Sequence, residues 1–409
     1  MNAEPTSGRR LTREELARAV PTLPLEVDEL TTRGMLLPGA DGLFRPSDIQ
    51  RVRAVIAMRS PGIDLDQLVA AFREELFTLQ PMDVLYPDPP SVTELTTSEL
   101  AVQLGMEPHD LIRLVVALGS PAPRPDTLMR TDEAELLRLL VDIGTKLGGR
   151  DALMRAARVF GDSTRRAAES AVAIFDENIN SPVVRARPDD AKRMQVNRLA
   201  AELMAKSEEL IAGLYRRHLE HTLLRFWTNS AEQFLDELGV RPASPVSRGM
   251  AFVDLSGFTR MTESAGDAVA ARLATRLGEL AESAAAGQRG RVVKLLGDGA
   301  MLHFDDPLDA VRGALDLLES IDASGLPPAH AGVHAGPVIE RDGDYFGRTV
   351  NIAARVSAVA APRQVLVTAQ VAQQRANDLQ FERVANPDLK DVGPLELFVA
   401  RRTRGADRS

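Results

Sequence analysis

The hydrophobic pattern of this chain changes at a short proline-containing linker, and this change predicts two parts of different fold class. Residues 10–205 place apolar side chains three and four positions apart, the period of amphipathic helices, in segments such as LTREELARAV and DLDQLVAAFREELF. After the linker RPASPVS (241–247), short apolar runs alternate with helical segments. Because strands and helices need different hydrophobic periods, we expect two separately folded domains.

The first part is expected to be helical throughout. The breakers PTLP, SPGID, YPDPPS and SPAPRP separate its helical segments. Residues 1–205 are therefore predicted to form an all-α domain of roughly eight to ten short helices. A pattern without proline from about Ala191 to Gly239 predicts one or two long helices, so residues 206–244 are assigned to a helical connector and linker.

The second part, residues 245–409, shows the order of elements expected of a ferredoxin-like α+β sandwich. AFVDL is a short apolar run, and a long helical segment follows it. RVVKLLGDGAMLHF predicts two strands around a Gly-Asp-Gly turn, and LDAVRGALDLLESI and AHAGVHAGPVIE predict a helix and a further strand. The resulting β-α-β-β-α-β order predicts this fold class.

Composition excludes several classes of function. The 409 residues contain no cysteine, which excludes disulfides, thiolate metal sites and a cysteine nucleophile. The formal net charge is −9, with 19 basic and 21 acidic residues from Pro245 onward and 30 and 37 before it. Neither part has the basic excess that binds nucleic-acid backbones, so no nucleic-acid partner is expected.

The apolar runs are all much shorter than a transmembrane helix, and the N-terminal segment lacks the apolar core of a signal peptide. A cytoplasmic protein without a transmembrane segment is therefore expected. The sequence leaves a peripheral contact with a membrane open.

Asp254 interrupts the apolar run AFVDL, and the segment SGFT that follows it opens a helix. A carboxylate at a strand end beside a helix N-terminus suits a metal-bound polyphosphate. The backbone N–H groups of Gly257, Phe258 and Thr259 would hold the phosphate oxygens. The alternative is that Asp254 only caps the SGFT turn.

A second carboxylate, Asp298, lies between two glycines at the predicted hairpin tip LLGDGAML. Alone, it is compatible with an ordinary turn aspartate. Two aspartates at neighbouring strand ends, however, can hold two divalent ions that activate an attacking hydroxyl and neutralise a leaving pyrophosphate. The combination of Asp254 and Asp298 is therefore more informative than either residue.

Four more polar residues occur in apolar surroundings. Lys294 lies within RVVKLLG, where an ammonium group needs water or a partner. Asn351 and Arg355 are four residues apart in TVNIAARV and share one helix face, and Asp344 precedes Asn351 by seven residues. The alternatives are a solvated edge lysine and a solvated helix face.

Four motifs in this order and spacing resemble class III adenylyl cyclases: FVDLSGFT, VVKLLGDGAML, DYFGRTVNIAARV and LKDVGPLELF. The resemblance covers roughly residues 245–402 and is far more specific than any single motif. It implies an adenylate cyclase, a lyase that converts ATP to 3′,5′-cyclic AMP and pyrophosphate.

The resemblance also implies roles for individual residues. Asp254 and Asp298 would bind two Mg²⁺ or Mn²⁺ ions per active site, with the Leu255 backbone carbonyl as a further ligand. Lys294 and Asp344 would read the base, because adenine offers an N6 donor and an N1 acceptor whereas guanine reverses this pattern. ATP is therefore the implied substrate.

Three further residues take roles from the same resemblance. Asn351 would orient the ribose, Arg355 would stabilise charge on the α-phosphoryl group, and Lys390 would bind the distal phosphates. In this family the metal aspartates act with residues of a partner subunit, so a homodimer with two equivalent sites is implied. A guanylyl cyclase and a non-catalytic regulator that binds nucleotide or DNA are the alternatives.

The whole chain also resembles pH-sensing adenylyl cyclases in which a helical N-terminal domain inhibits the catalytic one. The resemblance implies that residues 1–205 are autoinhibitory and that 206–240 transmit the signal. His218 and His221 lie one turn apart in LYRRHLEH, where protonation near neutral pH would bias helix packing. The alternative is two solvated surface histidines.

Residues 11–60 also resemble, in their spacing, the winged helix-turn-helix of MerR-type regulators, for which DNA binding is the functional interpretation. This stretch contains seven basic and seven acidic side chains. Glu26, Asp28 and Glu29 lie where a recognition helix would meet phosphates and would repel them. A helical packing module is therefore the preferred interpretation.

Overall fold

The computed structural model describes residues 9–20, 24–59, 63–74, 79–86, 91–186, 189–238, 248–258, 266–374, 376–384, 388–389 and 392–403. The chain divides into two compact units, Met1–Trp227 and Thr228–Ser409. The division falls within one long helix, inside the region 206–244 that the sequence assigns to the connector.

The first unit is built mainly from helices. These are α1 (Arg13–Ala19), α2 (Pro24–Thr32), α3 (Asp48–Arg59), α4 (Leu65–Arg73), α5 (Gln80–Leu85), α6 (Thr97–Gln103), α7 (Pro108–Ala117), α8 (Thr131–Lys146), α9 (Arg150–Phe175) and α10 (Ser181–Arg185). A π-helical turn, Asp176–Asn180, joins α9 to α10. The prediction of a helical N-terminal domain is confirmed. Two short strands, β1 (Val92–Thr96) and β2 (Leu128–Arg130), add an antiparallel ribbon that the helical periodicity does not indicate.

Helices α1 and α6 begin at capping boxes that the sequence contains. The Thr12 side chain accepts a hydrogen bond from the Glu15 backbone N–H, and the Glu15 carboxylate accepts one from the Thr12 backbone N–H. Thr96 and Glu99 repeat this arrangement at the start of α6. Each box satisfies two backbone N–H groups, which explains where these helices start.

The longest element is helix α11 (Asp190–Glu237), a single helix of 48 residues in the region where the sequence predicts one or two long helices. Large apolar side chains such as Leu210, Leu224 and Trp227 are exposed on it. Among the residues that the structure describes, no helix is both long enough and apolar enough to cross a membrane.

The second unit contains a seven-stranded mixed sheet. Its elements, in chain order, are β3 (Arg248–Leu255), α12 (Asp267–Gly287), β4 (Gly290–Leu295), β5 (Gly299–Phe304), α13 (Pro307–Ser324), β6 (Ala329–Gly336), β7 (Ile339–Arg341), β8 (Asp344–Phe346), α14 (Arg348–Ala358), β9 (Val365–Thr368), α15 (Ala369–Ala372), β10 (Leu379–Arg383), β11 (Asp388–Leu389), β12 (Gly393–Pro394) and β13 (Leu397–Arg402). The strand order in the large sheet is β10-β13-β9-β6-β3-β5-β4.

The four strands β6, β3, β5 and β4, which form one side of this sheet, have the predicted ferredoxin-like topology. The elements β3, α12, β4, β5, α13 and β6 follow the order β-α-β-β-α-β, and β3 pairs antiparallel with both β5 and β6. Strand β9 extends the sheet parallel to β6, and β13 and β10 follow antiparallel. Strands β7 and β8 form a separate hairpin. The predicted α+β class is therefore confirmed.

Side chains along β3 alternate between two faces of the sheet. Val253 and Leu255 lie in the large core that includes residues of α12 and α13. Met250 instead packs in a cluster that contains Ala353 of α14. Because successive strand residues point to opposite faces, Asp254 shares the face of Met250. Asp254 therefore lies on the side of the sheet that α14 covers.

Helix α14 packs close to the sheet because Gly332 of β6 has no side chain. A Cβ atom at Gly332 would lie 2.0 Å from the backbone nitrogen of Ser357 in α14. Glycine within a strand commonly marks such a close backbone approach. The contact fixes the position of the helix that carries Asn351 and Arg355.

Candidate active site

Asp254 is the next-to-last residue of β3, which has a neighbouring strand on each side. Its cross-strand partners are Gly299 of β5 and His330 of β6. A Cβ atom at Gly299 would lie 2.2 Å from Asp254 Oδ1, so a side chain there would displace the carboxylate. The second glycine of the Gly-Asp-Gly turn thus makes room for the aspartate on the neighbouring strand.

The Asp254 carboxylate is partly buried and has a polar partner on α14. Ser357 Oγ donates a hydrogen bond to Asp254 Oδ2, with 3.2 Å between the two oxygens. Burial raises the pKa of the Asp254 carboxyl above its ordinary value; the Ser357 hydrogen bond and His330 oppose the rise, and the charge of Asp298 adds to it. Asp298 is therefore close enough to act electrostatically on Asp254.

Asp298 is held near Asp254 by the backbone. It lies at the tip of the β4–β5 hairpin, and its carbonyl oxygen accepts a hydrogen bond of 2.9 Å from the Leu255 N–H. Leu255 ends β3 and its side chain is buried in the core. The structure therefore brings the residues predicted as metal ligands, Asp254, Asp298 and Leu255, to one end of the sheet.

Asp254 and Asp298 fit a divalent cation by donor chemistry and by charge. Both offer carboxylate oxygens, the donors that Mg²⁺ and Mn²⁺ prefer. Their mutual repulsion contributes to the raised pKa of Asp254, and a bound cation would remove it. The described residues contain no group of three or more His, Cys, Asp or Glu side chains that could hold a metal. Further ligands would have to come from the main chain, water or substrate phosphates.

The turn that follows β3 contains the candidate phosphate-binding residues. The Ser256 hydroxyl lies 3.0 Å from His330 Nδ1. Gly257 is exposed and has a φ of 76°, in the left-handed region that favours glycine. The Phe258 side chain packs against the large core, and Thr259 lies outside the described residues.

Lys294 and Asp344 form an ion pair, with 2.5 Å between Lys294 Nζ and Asp344 Oδ2. The register of β4 shifts between Val292 and Lys294, and Lys294 lies opposite Met301 of β5. A bulge of this kind redirects the side chains that follow it. Asp344 opens β8, and its other carboxylate oxygen accepts a hydrogen bond of 2.8 Å from the Tyr345 N–H. Lys294 thus has a defined partner in addition to solvent.

Asn351 and Arg355 lie on the exposed face of α14, as their spacing predicts. Ile352 and Val356 are buried on the opposite face of this helix. The structure thus brings Asp254 to Asp298 and Lys294 to Asp344, and presents Asn351 and Arg355 at the surface. Lys390 lies outside the described residues.

The predicted pH-sensing residues lie away from these elements in the chain. His218 and His221 are exposed on α11, one helical turn apart. Their exposure is compatible with both interpretations that the sequence leaves open.

Three residues that support the site are missed by the sequence analysis. Gly299 makes room for Asp254, Ser357 donates to it, and Gly332 admits the helix that carries Ser357. The glycine inside AHAGVHAG is a usable signal, because glycine in a strand indicates close backbone approach. Ser357 gives no signal, because a serine on a helix has many ordinary roles.

Two buried histidines lie on the α14 side of the sheet. His303 of β5 and His334 of β6 are the cross-strand partners of Met250. Burial lowers the pKa of each histidine to about 4. The His334 Nδ1 atom lies 2.8 Å from Thr368 Oγ1. Both imidazoles are therefore neutral at neutral pH.

Residues 243–399 match the family model described as adenylate and guanylate cyclase catalytic domain. This segment of the second unit thus resembles the catalytic domain of class III nucleotide cyclases. The predicted resemblance to class III adenylyl cyclases is confirmed, and so is the prediction of an adenylate cyclase enzyme.

Two relatives match well beyond the catalytic domain. An uncharacterized protein of Mycobacterium tuberculosis, Rv2212, is 29% identical over 335 residues, which cover 81% of this chain and 85% of the relative. The pH-sensitive adenylate cyclase MT1302 of M. tuberculosis is 29% identical over 331 residues, covering 78% of this chain and 80% of the relative. The crystal structure of the adenylyl cyclase CyaB from P. aeruginosa matches with 19% identity and a TM-score of 0.35, over 39% of this chain and 95% of that chain.

We expect the free energy of unfolding to fall as the pH is lowered from about 6.5 to about 4. In this window the unfolded chain protonates histidines at their ordinary pKa near 6.5, whereas His303 and His334 stay neutral in the folded state until about pH 4. Their contribution to stability is complete above this window. As the pH falls through this window, each histidine lowers the free energy of unfolding by up to about 1.4 kcal/mol per pH unit.

Urea unfolding of the full-length protein, followed by circular dichroism at several pH values across this window, measures the effect. A His303→Gln/His334→Gln variant should show a shallower dependence on pH. If the free energy of unfolding of the variant falls as steeply with pH as that of the wild type, His303 and His334 do not cause the pH dependence.

Proposed function

We propose that this chain converts ATP to 3′,5′-cyclic AMP and pyrophosphate. The observation that carries the proposal is the contact between Lys294 and Asp344, a cation and a carboxylate that meet where both side chains are partly exposed. An adenine edge can replace this ion pair with two hydrogen bonds, from its N6 amino group to the carboxylate and from the ammonium to N1. Guanine would place a hydrogen-bond donor against the ammonium and an acceptor against the carboxylate. Neither pair can form a hydrogen bond, so GTP is disfavoured.

The reaction joins the ribose O3′ to the α-phosphorus, breaks the bond from that phosphorus to the pyrophosphate oxygen, and releases the O3′ proton. Two Mg²⁺ or Mn²⁺ ions, when bound, would supply Lewis acidity at O3′ and at the leaving pyrophosphate. Asp254 and Asp298 would hold these ions together with the Leu255 carbonyl. The buried environment of Asp254 supports this role, because desolvated charges act more strongly on one another.

The remaining polar residues bind and orient ATP in this proposal. The backbone N–H groups of Gly257, Phe258 and Thr259 hold phosphate oxygens. On α14, Asn351 orients the ribose and Arg355 stabilises the charge that develops on the α-phosphoryl group. The ammonium group of Lys390 binds the distal phosphates.

We propose that a second copy of the chain completes each site. Large apolar side chains flank the base-reading pair on the surface: Leu295 and Leu296 follow Lys294, and Phe346 lies in the same strand as Asp344. Exposed apolar surface of this kind is typical of interaction sites. A symmetric homodimer would cover it, and would bring the base-reading pair and the α14 residues of one protomer to the metal aspartates of its partner.

We also propose that residues 1–205 regulate the catalytic domain 245–409 through the connector 206–244. The continuity of α11 supports this, because the helix begins in the first compact unit and ends in the second. A relative that matches 78% of this chain is named a pH-sensitive adenylate cyclase. His218 and His221, exposed on the connector helix, are the proposed pH-sensing residues.

Full-length protein with Mn²⁺ is expected to form cyclic AMP from ATP, with GTP a poorer substrate. Asp254→Asn and Asp298→Asn should each lower kcat by at least about 100-fold, because each removes a charged metal ligand. Asp305→Asn is the matched control, since Asp305 is exposed at the other end of β5, paired with Arg248. Product chromatography gives the measurement.

Two outcomes would contradict this expectation in different ways. Folded, dimeric wild-type protein without turnover would exclude the catalytic function and favour a nucleotide-binding regulator. Faster turnover of GTP than of ATP would indicate a guanylyl cyclase instead.

Mixed dimers are expected to recover activity. Asp254→Asn and Arg355→Ala should each be inactive alone, because each substitution occurs in both sites of its own homodimer. Asp254→Asn removes a metal ligand from each site, whereas Arg355→Ala removes the arginine that the partner protomer contributes. In an equal mixture about half of the dimers carry one intact site, so about a quarter of wild-type activity should return. If subunits exchange and activity does not return, each site is built within one protomer.

A fragment of residues 206–409 is expected to be more active or less dependent on pH than the full-length protein between about pH 6 and pH 8. A His218→Ala/His221→Ala variant of the full-length protein should shift the pH–activity curve, whereas His109→Ala, at another exposed histidine, should leave it unchanged. Superimposable curves for the double variant and wild type would remove these two histidines as sensors.

A further inference from the structure

The hairpin that carries Asp344 is attached to the sheet by the next residue. Tyr345 is 4% exposed and packs with Met250, Met301 and Ala353. Its backbone N–H donates to the Asp344 carboxylate. The two strands of this hairpin have three residues each, and a two-stranded ribbon of that length does not hold its own conformation. The position of Asp344 therefore depends on what holds Tyr345.

An imidazole ring stacks on the Tyr345 ring. The His303 and Tyr345 ring centroids are 4.3 Å apart and the planes differ by 2°. His303 Nε2 is buried and has no hydrogen-bond partner within the described part of the chain. A buried nitrogen without a partner costs stability, so Nε2 does not explain the presence of His303 here. The interaction that His303 does make with Tyr345 is the stack of the two ring faces.

A guanidinium group binds the same tyrosine from β4. The Arg291 Cζ lies 5.1 Å from the Tyr345 ring centroid, within the range of a cation–π contact. Arg291 also donates to the Tyr345 hydroxyl and, at 2.8 Å, to Glu340, the cross-strand partner of Tyr345 in the hairpin. The strand that carries Arg291 also carries Lys294. Both members of the base-reading pair are thus attached to one cluster.

We propose that Arg291, His303 and Tyr345 form a positioning cluster that holds Asp344 against Lys294 and so sets the selectivity for ATP over GTP. The inference rests on the proposed adenylate cyclase function and deepens it. The three side chains act through Asp344 and do not touch the nucleotide. Loss of the cluster leaves the metal aspartates in place and releases the carboxylate that distinguishes the two bases.

The test compares variants of the full-length protein in kcat and KM for ATP and for GTP. Arg291→Met and His303→Leu should each raise the KM for ATP, and lower the ATP-to-GTP ratio of kcat/KM, by about tenfold, because a misplaced recognition group loses discrimination. The kcat for ATP should stay within about threefold, since the reacting atoms are held by other residues. Tyr345→Phe keeps the ring and should retain most of the selectivity.

Arg276→Met is the matched control, because it removes another exposed arginine of the same unit that is paired with a glutamate, Glu279. Circular dichroism establishes which variants fold. Arg291 is partly exposed on an edge strand, so Arg291→Met decides the question if His303→Leu does not fold.

Three results would overturn the inference. An unchanged ATP-to-GTP ratio in folded Arg291→Met would exclude a role in selectivity. An equal loss of kcat for both nucleotides, with KM unchanged, would indicate a general structural role. Absence of cyclase activity in the wild-type protein would exclude the proposed function and this inference with it. This outcome is distinct from the first two, because it is measured on the wild type and not on a variant.

Discussion

A carboxylate on an interior strand of a closely packed sheet is the constraint on which the catalytic unit depends. Asp254 needs space and a hydrogen bond, and its neighbours meet both needs. Gly299 leaves the space and Ser357 donates the hydrogen bond. Gly332 lets the helix that bears Ser357 reach the strand, and the β4–β5 hairpin brings Asp298 alongside. The negative charge that these residues concentrate explains why the pair suits a cation.

Much of this unit could be predicted from the sequence because local pattern determines it. The β-α-β-β-α-β order, the hairpin around Asp298, the shared helix face of Asn351 and Arg355, and the long proline-free helix all follow from periodicity and turn residues. Lys294 could be identified as unusual because a charge in an apolar run needs a partner. Asp344 could be identified as that partner only through the family resemblance, since 50 residues separate the two.

The remaining features depend on tertiary contacts that no local pattern records. The bulge before Lys294 is a property of two strands in register, and the β1–β2 ribbon forms between segments that are separated by two helices. The stack of His303 on Tyr345 joins two elements, β5 and β8, neither of which shows an unusual pattern alone. A sequence shows which side chains are available, whereas packing determines which of them meet. The supporting residues of a site are therefore harder to predict than its charged ones.

Helix α11 has one further consequence. Its 48 residues give a length of about 70 Å. Each residue turns the helix by about 100° and advances it by only about 1.5 Å. A small change in winding along this element therefore alters the angular phase of its far end much more than it alters the end-to-end distance. Helix α11 is therefore better suited to transmit a rotation about its axis than a displacement along it.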